Sequence, residues 1–300
     1  GRKLDVFVPH GSDIFDFPFH KPANSMLGLK KFIMSAIHKR GVKNSRYISL
    51  DITNPDMEKD YERLHYKGER LEAACPFLYM PQYNTPDAMR YKELSAGYQL
   101  FRQARAQFDF IIFHHSGQQW KNPVYKYSQK ANDKLIRGFA AFLQQNKDYK
   151  ACLVMLEYGP DVEESKKLCN ELGIEANVRW LPKMKRKDIM LCIAEADLGT
   201  GEFGLSWFSY GVIYEVIAMA KPVMHFRDDE LYRERYPDMY PMYSASSEEE
   251  IVNILNRYKD NKSEFAEVGK VAQKWFKKYA VDIPLDTYTQ VIDKTFKNDR

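Results

Sequence analysis

The residues of this 300-residue chain whose types could do chemistry fall in short loops that follow apolar runs. After residues 151–156 comes Glu157-Tyr158-Gly159-Pro160-Asp161, and after residues 178–181 comes the basic run Pro182-Lys183-Met184-Lys185-Arg186-Lys187. After Asp197-Leu198 comes Gly199-Thr-Gly-Glu202-Phe-Gly204, and then Ser209-Tyr210-Gly211 immediately before the helical stretch that carries Glu215. A small, glycine-bearing loop that feeds a helix is suited to an anion, because unpaired backbone N–H groups and the helix dipole point the same way. The chemistry on offer is a grip on phosphate. No His/Asp cluster has the spacing of a metal site.

Such loops need a scaffold. Residues 108–114, 151–156, 178–181 and 222–226 read as strands, and 151–156 is apolar throughout, as a strand covered on both faces should be. Between and after them, residues 130–144, 162–172, 187–196, 212–220, 248–258 and 264–279 read as helices. Strands alternating with helices of this length imply βαβ units: an α/β protein with a mostly parallel sheet and helices on both faces. The first third is less regular. Val6-Phe-Val8 is a short strand running into a turn that holds His10 and Asp13. Residues 27–39 form an amphipathic helix with Leu29, Phe32, Ile33, Ala36 and Ile37 on the face predicted to pack, and Gly41 stops it. Residues 47–50 are β-like, 56–70 a polar helix, and the proline-bearing stretch 75–95 a connector between lobes.

Composition bounds the rest. With 44% apolar and 29% charged residues the chain buries a core and is not disordered, and its length suits two domains. No apolar run approaches the roughly 18–20 residues of a spanning helix. Four widely spaced cysteines (75, 152, 169 and 192) read as reduced thiols of a cytoplasmic protein. The net charge of +4 is uneven: residues 1–105 hold 17 Lys/Arg against 12 Asp/Glu, the remainder 28 against 29. That mild excess fits an anionic small substrate or an anionic membrane surface rather than nucleic acid. Lys30, Lys31, Lys39, Arg40 and Lys43 beside the apolar face of 27–43 offer such a membrane contact, set against ordinary packing of the same helix. Tyr232, Tyr236, Tyr240 and Tyr243, among prolines, read as a surface loop able to stack on a sugar. The opening Gly-Arg-Lys, without methionine or a signal-peptide pattern, reads as an expression remnant or a fragment boundary.

From about 150 to 225 the order of motifs resembles the carboxyl-terminal lobe of GT-B glycosyltransferases of the retaining group 1 type. The elements that carry the resemblance are Leu153-Val-Met-Leu-Glu-Tyr-Gly-Pro160, Leu172-Gly-Ile174, Val178-Arg-Trp-Leu-Pro182, Glu195-Ala-Asp197, Glu202-Phe-Gly204 and Glu215-Val-Ile-Ala-Met-Ala-Lys-Pro-Val223. His10-Gly11-Ser12-Asp13 resembles a turn on the acceptor lobe of such enzymes. The resemblance implies two Rossmann-like lobes, with 1–105 a partial acceptor-side lobe plus linker, 106–280 the nucleotide-sugar lobe, and 281–300 a helix returning to the first. An acceptor lobe normally needs about 150 residues, so the N-terminal lobe reads as incomplete.

The same resemblance implies roles. Glu215 would bind the ribose diol, since a carboxylate accepts two hydrogen bonds. Lys130 would meet the donor diphosphate together with backbone amides at Ser209, Tyr210 and Gly211 and the small residues Gly159 and Gly204, and Leu181-Pro182-Lys183 would flank the nucleobase. His10 and Glu202 are the candidate catalytic groups, and Asp13 a candidate base. No cofactor is implied beyond a UDP- or GDP-sugar donor; the acceptor would be a glycan or a lipid-linked molecule. Two departures stand out. Eight positions before Glu215 the family has a glutamate and this chain has Trp207, leaving Glu202 as the nearest carboxylate. The arginine often found after the first strand of that lobe is replaced by His114-His115-Ser116-Gly117-Gln118. These departures keep two alternatives open: a catalytically degenerate binding or assembly protein of polysaccharide synthesis, and a nucleotide-sugar epimerase.

Overall fold

Each apolar run after residue 105 becomes a strand of one parallel sheet. A computed structural model describes residues 5–9, 12–15, 17–21, 25–50, 55–73, 78, 83, 91–122 and 126–298. The chain divides into two units, one made of 1–77 with 277–300 and the other of 78–276.

In the second unit, β4 (Phe110–His114), β5 (Ala151–Glu157), β6 (Val178–Pro182), β7 (Leu198–Thr200), β8 (Val223–His225) and β9 (Tyr243–Ser244) lie in the order β6-β5-β4-β7-β8-β9, all parallel. This is the doubly wound order, in which the chain works outward from β4 and then returns to start again beside it at β7. Phe110, Ile112, Leu153, Met155 and Leu198 are wholly buried, and Leu135, Phe139 and Phe142 of the helix Asn132–Gln145 join them in the core. Cys152, Cys169 and Cys192 are free and buried.

The first unit has three parallel strands among the described residues, β1 (Val6–Phe7), β2 (Tyr47–Ser49) and β3 (Glu69–Leu71), half as many as the second. The helix Ile283–Asn298 places Val291 against Tyr47 and Leu71, and Tyr288 Oη donates to Ser49 Oγ at 2.6 Å.

Four sequence expectations need correction. The unit boundary lies at 77/78 rather than 105/106, because the helix Ala96–Arg105 buries Tyr98, Phe101 and Ala104, with Phe101 edge-on to Phe113 of β4. The predicted helix 56–70 stops at Glu62; His65 takes a left-handed φ of 49°, and Glu69–Leu71 then pairs with β2. The helix Met26–Lys43 is turned the other way from the prediction. Ser35 and Val42 face the interior, while Leu29, Phe32, Ile33, Ala36 and Ile37 are exposed. Its anchor is polar: His38 Nε2 bonds Asp13 O at 2.9 Å, with the ring edge-on to Phe7 and Phe17.

The tyrosine-rich segment, lastly, is core and not a surface loop. Tyr232, Tyr240 and Tyr243 are buried, and Tyr236 stacks on Phe208 at 3.8 Å. Buried phenols need hydrogen-bond partners. Tyr232 donates to Ser206 O, and Tyr240 to Phe208 O.

Candidate functional site

In a doubly wound sheet, ligands lodge beyond the carboxyl ends of the strands where the order reverses. Here that is the β4/β7 junction. β4 ends at His114 and leads into His115-Ser116-Gly117-Gln118, and β7 ends at Thr200 and leads into Gly201-Glu202. His114 ties the two strand ends together: Nδ1 bonds Thr200 Oγ1 at 2.8 Å, and Nε2 meets the Asn132 side-chain amide at 2.7 Å. The amide nitrogen can only donate, so Nε2 accepts and Nδ1–H is the donor of a neutral ring. Burial, reinforced by His115 and Lys130, pushes the His114 pKa down to about 3. His114 therefore cannot supply the cation that the missing arginine would have brought.

Lys130 lies just ahead of the helix Asn132–Gln145, where Ala131 adopts a left-handed φ of 50°. Its backbone is fixed on both sides, with Lys130 N donating to Gln119 O and Phe203 N donating to Lys130 O. The ammonium consequently points to Glu202 Oε1 at 2.5 Å and Ser116 Oγ at 3.1 Å. Burial raises the Glu202 carboxyl above its ordinary range, and Lys130 opposes that rise. Gly204 permits the approach of the two loops: a Cβ there would lie 2.6 Å from the backbone oxygen of Gln129.

Glu215 is carried by the helix Gly211–Ala218 and is buried, not solvated. One carboxylate oxygen meets His115 Nε2 at 2.9 Å and the other Arg186 Nε at 2.8 Å. The half-exposed Arg186, from the basic run after β6, thus brings a cation beside Glu215. Glu202 and Glu215 are served by adjacent residues, Ser116 through Lys130 and His115 directly. Trp207 is buried, edge-on to Tyr127 and Tyr210.

The remaining candidates divide into framework and surface. Ser209 is buried and donates to Tyr214 Oη at 2.9 Å, while Tyr210 Oη pairs with the backbone N–H of Glu202, so both side chains are bonded within the protein. Their backbone, with Gly211, forms the start of the Glu215 helix. Gly159 has φ 112° and packs where a Cβ would be 2.3 Å from Gln118 O; Gln118 N in turn donates to Tyr158 O. Leu181 is buried in β6, and Pro182 and Lys183 are exposed, with the Lys183 ammonium 5.7 Å from the Tyr158 ring centroid. Asp13 belongs to the first unit, and His10 lies outside the described residues.

Residue types in sequence give no sign of two of the site's anchors. Arg186 and His115 stand 29 and 100 positions from the carboxylate they hold. Asp161, noted only as a turn residue, is a hub: its carboxylate accepts from the backbone N–H groups of Trp120, Lys121 and Asn122. Burial alone would raise that carboxyl, but these donors outweigh it and the pKa is lowered. Among the described residues no group of three or more His, Cys, Asp or Glu could hold a metal ion.

No protein-family model matches the sequence, and no curated protein matches it. Solved structures do match in fold. HepE (Alr3699) of Anabaena in complex with UDP is 14% identical, with a TM-score of 0.61 over 97% of this chain and 72% of its own. The sucrose-phosphate synthase of Thermosynechococcus elongatus is 14% identical, with a TM-score of 0.56 over 98% and 68%. A UDP-forming trehalose-phosphate synthase from Burkholderia vietnamiensis is 11% identical, with a TM-score of 0.55 over 92% and 67%. All three are GT-B glycosyltransferases. The chain has the GT-B fold, an α/β architecture of mostly parallel sheets, with the smaller sheet in its N-terminal unit.

Proposed function

We propose that this chain transfers a sugar, with retention of configuration, from a nucleotide-sugar to a glycan or lipid-linked acceptor. The observation that carries the reading is the pairing of Glu215 and the Lys130–Glu202 ion pair at the one point of the sheet where a doubly wound fold receives ligands. HepE, crystallised with UDP and with UDP-glucose, lends the donor class.

In this reading the ribose hydroxyls donate to the Glu215 carboxylate, each of whose oxygens has a second lone pair beyond the one used by His115 or Arg186. The nucleobase lies along Pro182 and Lys183. The buried Leu181 supports that loop from beneath. The diphosphate approaches the Ser209-Tyr210-Gly211 backbone and Lys130. Negative charge grows on the phosphate as the glycosidic bond breaks, and the Lys130 ammonium, exchanging Glu202 for a phosphate oxygen, stabilises it where water is scarce. Glu202 would then be released toward the sugar. Retention leaves no part for Asp13 as an inverting base. The buried thiols fit a reducing cytoplasm, and no cofactor beyond the donor is required.

A second reading, a binding or assembly protein on the same fold, is favoured by one observation: Glu202 neutralises Lys130, the cation best placed for a diphosphate. Proton NMR with a panel of UDP- and GDP-sugars separates the two. The transferase reading expects slow donor hydrolysis in which the released sugar first appears with the donor's own anomeric configuration. The inverted anomer would exclude retention. Isomerised donor without free sugar would establish an epimerase, and an unchanged panel would leave the binding protein.

A further inference from the structure

The helix Met26–Lys43 leaves its apolar face uncovered. At 100° per residue, Leu29, Phe32, Ile33 and Ile37 share one side, opposite the buried Ser35 and Val42. Leu29 is 52% exposed and Ile37 61%, so the described residues do not cover this side. Its charge has one sign: Lys30, Lys31, Lys39, Arg40 and Lys43, with no Asp or Glu in eighteen residues. Beside it is a cavity lined by Phe19, Phe32, Ala36, Lys39 and Arg63, in which Arg63 lies over the Phe19 ring at 4.0 Å. Glu62 lines an adjoining cavity together with Lys39, Lys59 and Arg63.

We propose that this helix face docks the protein on an anionic lipid bilayer, with Leu29, Phe32, Ile33 and Ile37 entering the headgroup–acyl boundary and the lysines meeting lipid phosphates. The proposal does not depend on the transferase reading. Charge decides between the occupants. A second copy would bring five cations against five, whereas an acidic bilayer offers hydrocarbon for the apolar side chains and anions for Lys30, Lys39, Arg40 and Lys43, which lie among and beside them. A helix lying in the membrane plane needs only this one-sided exposure. None of the described helices is long and apolar enough to cross a membrane.

Co-sedimentation of the full chain with phosphatidylcholine vesicles, with and without phosphatidylglycerol, tests it. The chain should pellet only with phosphatidylglycerol present and be released by high salt, because surface charge is screened. Lys30→Glu/Arg40→Glu and, separately, Ile33→Ser/Ile37→Ser should each weaken partitioning by about tenfold or more. Both pairs are exposed, so the melting temperature should hold and a loss of binding is not a loss of fold. The emission that Phe32→Trp adds to that of the four native tryptophans should shift to the blue on phosphatidylglycerol vesicles alone. Equal pelleting with neutral lipid, no pelleting, or an unshifted difference spectrum between Phe32→Trp and the wild type would overturn the proposal. So would a concentration-dependent dimer abolished by Ile37→Glu, which would assign the face to a second copy.

Discussion

Lys130→Met is expected to cost about 3–5 kcal/mol of stability in the second unit, because it leaves the Glu202 carboxylate buried without its cation. All four tryptophans (120, 180, 207 and 275) lie in that unit, so intrinsic fluorescence during urea unfolding reports on it alone. The matched double change Lys130→Met/Glu202→Leu should recover most of the loss, since a buried ion pair replaced by apolar groups of similar size is often neutral. Activity should not recover with it. If Lys130 meets charge on the departing phosphate, both variants should lose about 10²–10³ in kcat. A double variant that is stable and fully active would confine the pair to architecture.

Mild acid should unfold the second unit through its histidines. His114 and His225 are both wholly buried, and burial pushes each pKa down to about 3, helped by His115 and Lys130 at the first and by Arg227 at the second. In the unfolded chain both return to about 6.5. Their stability is therefore present above pH 6.5 and is lost as pH falls toward 3, because the unfolded state takes up protons that the folded state refuses. By pH 4.5 this amounts to about 2–3 kcal/mol for each ring, a large share of the roughly 5–15 kcal/mol that a domain has. Asp161, with its lowered carboxyl, acts in the same direction only below about pH 4. Glu202 works the other way: its raised carboxyl is protonated first in the folded state, which offsets part of the loss. Urea midpoints measured between pH 7.5 and 4.5 should fall steeply in the wild type and about half as steeply in His114→Asn. A flat profile would mean that the two rings are protonated in place.

The sheet of the second unit was legible because each buried parallel strand is a continuous apolar run, and 151–156 is the clearest of them. Glu215 and Lys130 stand out as candidates through the motifs around them, and the fold carries both to the β4/β7 junction, but their partners were not legible. His115 and Arg186 reach Glu215 from other loops, and nothing in local spacing records a contact that only the folded sheet creates. The helix Met26–Lys43 makes the limit plain. Periodicity shows that Leu29, Phe32, Ile33 and Ile37 share a face, but it cannot say whether protein covers that face. Here the small Ser35 and the hydrogen-bonding His38 supply the packing side instead. The tyrosines around 232–243 failed for a related reason. Proline and phenol content signals a loop, yet each buried hydroxyl found a backbone carbonyl or side chain to satisfy it.

Calorimetric titration of UDP and of GDP into the wild-type chain and into Glu215→Ala puts the nucleotide grip to the most direct trial. One of the two nucleotides should bind saturably, and the alanine variant should bind it at least about tenfold more weakly, the loss expected for hydrogen bonds to a charged group. Absence of binding by either nucleotide, or equal affinity in the variant, would contradict the assignment of the β4/β7 junction as a nucleotide-sugar site.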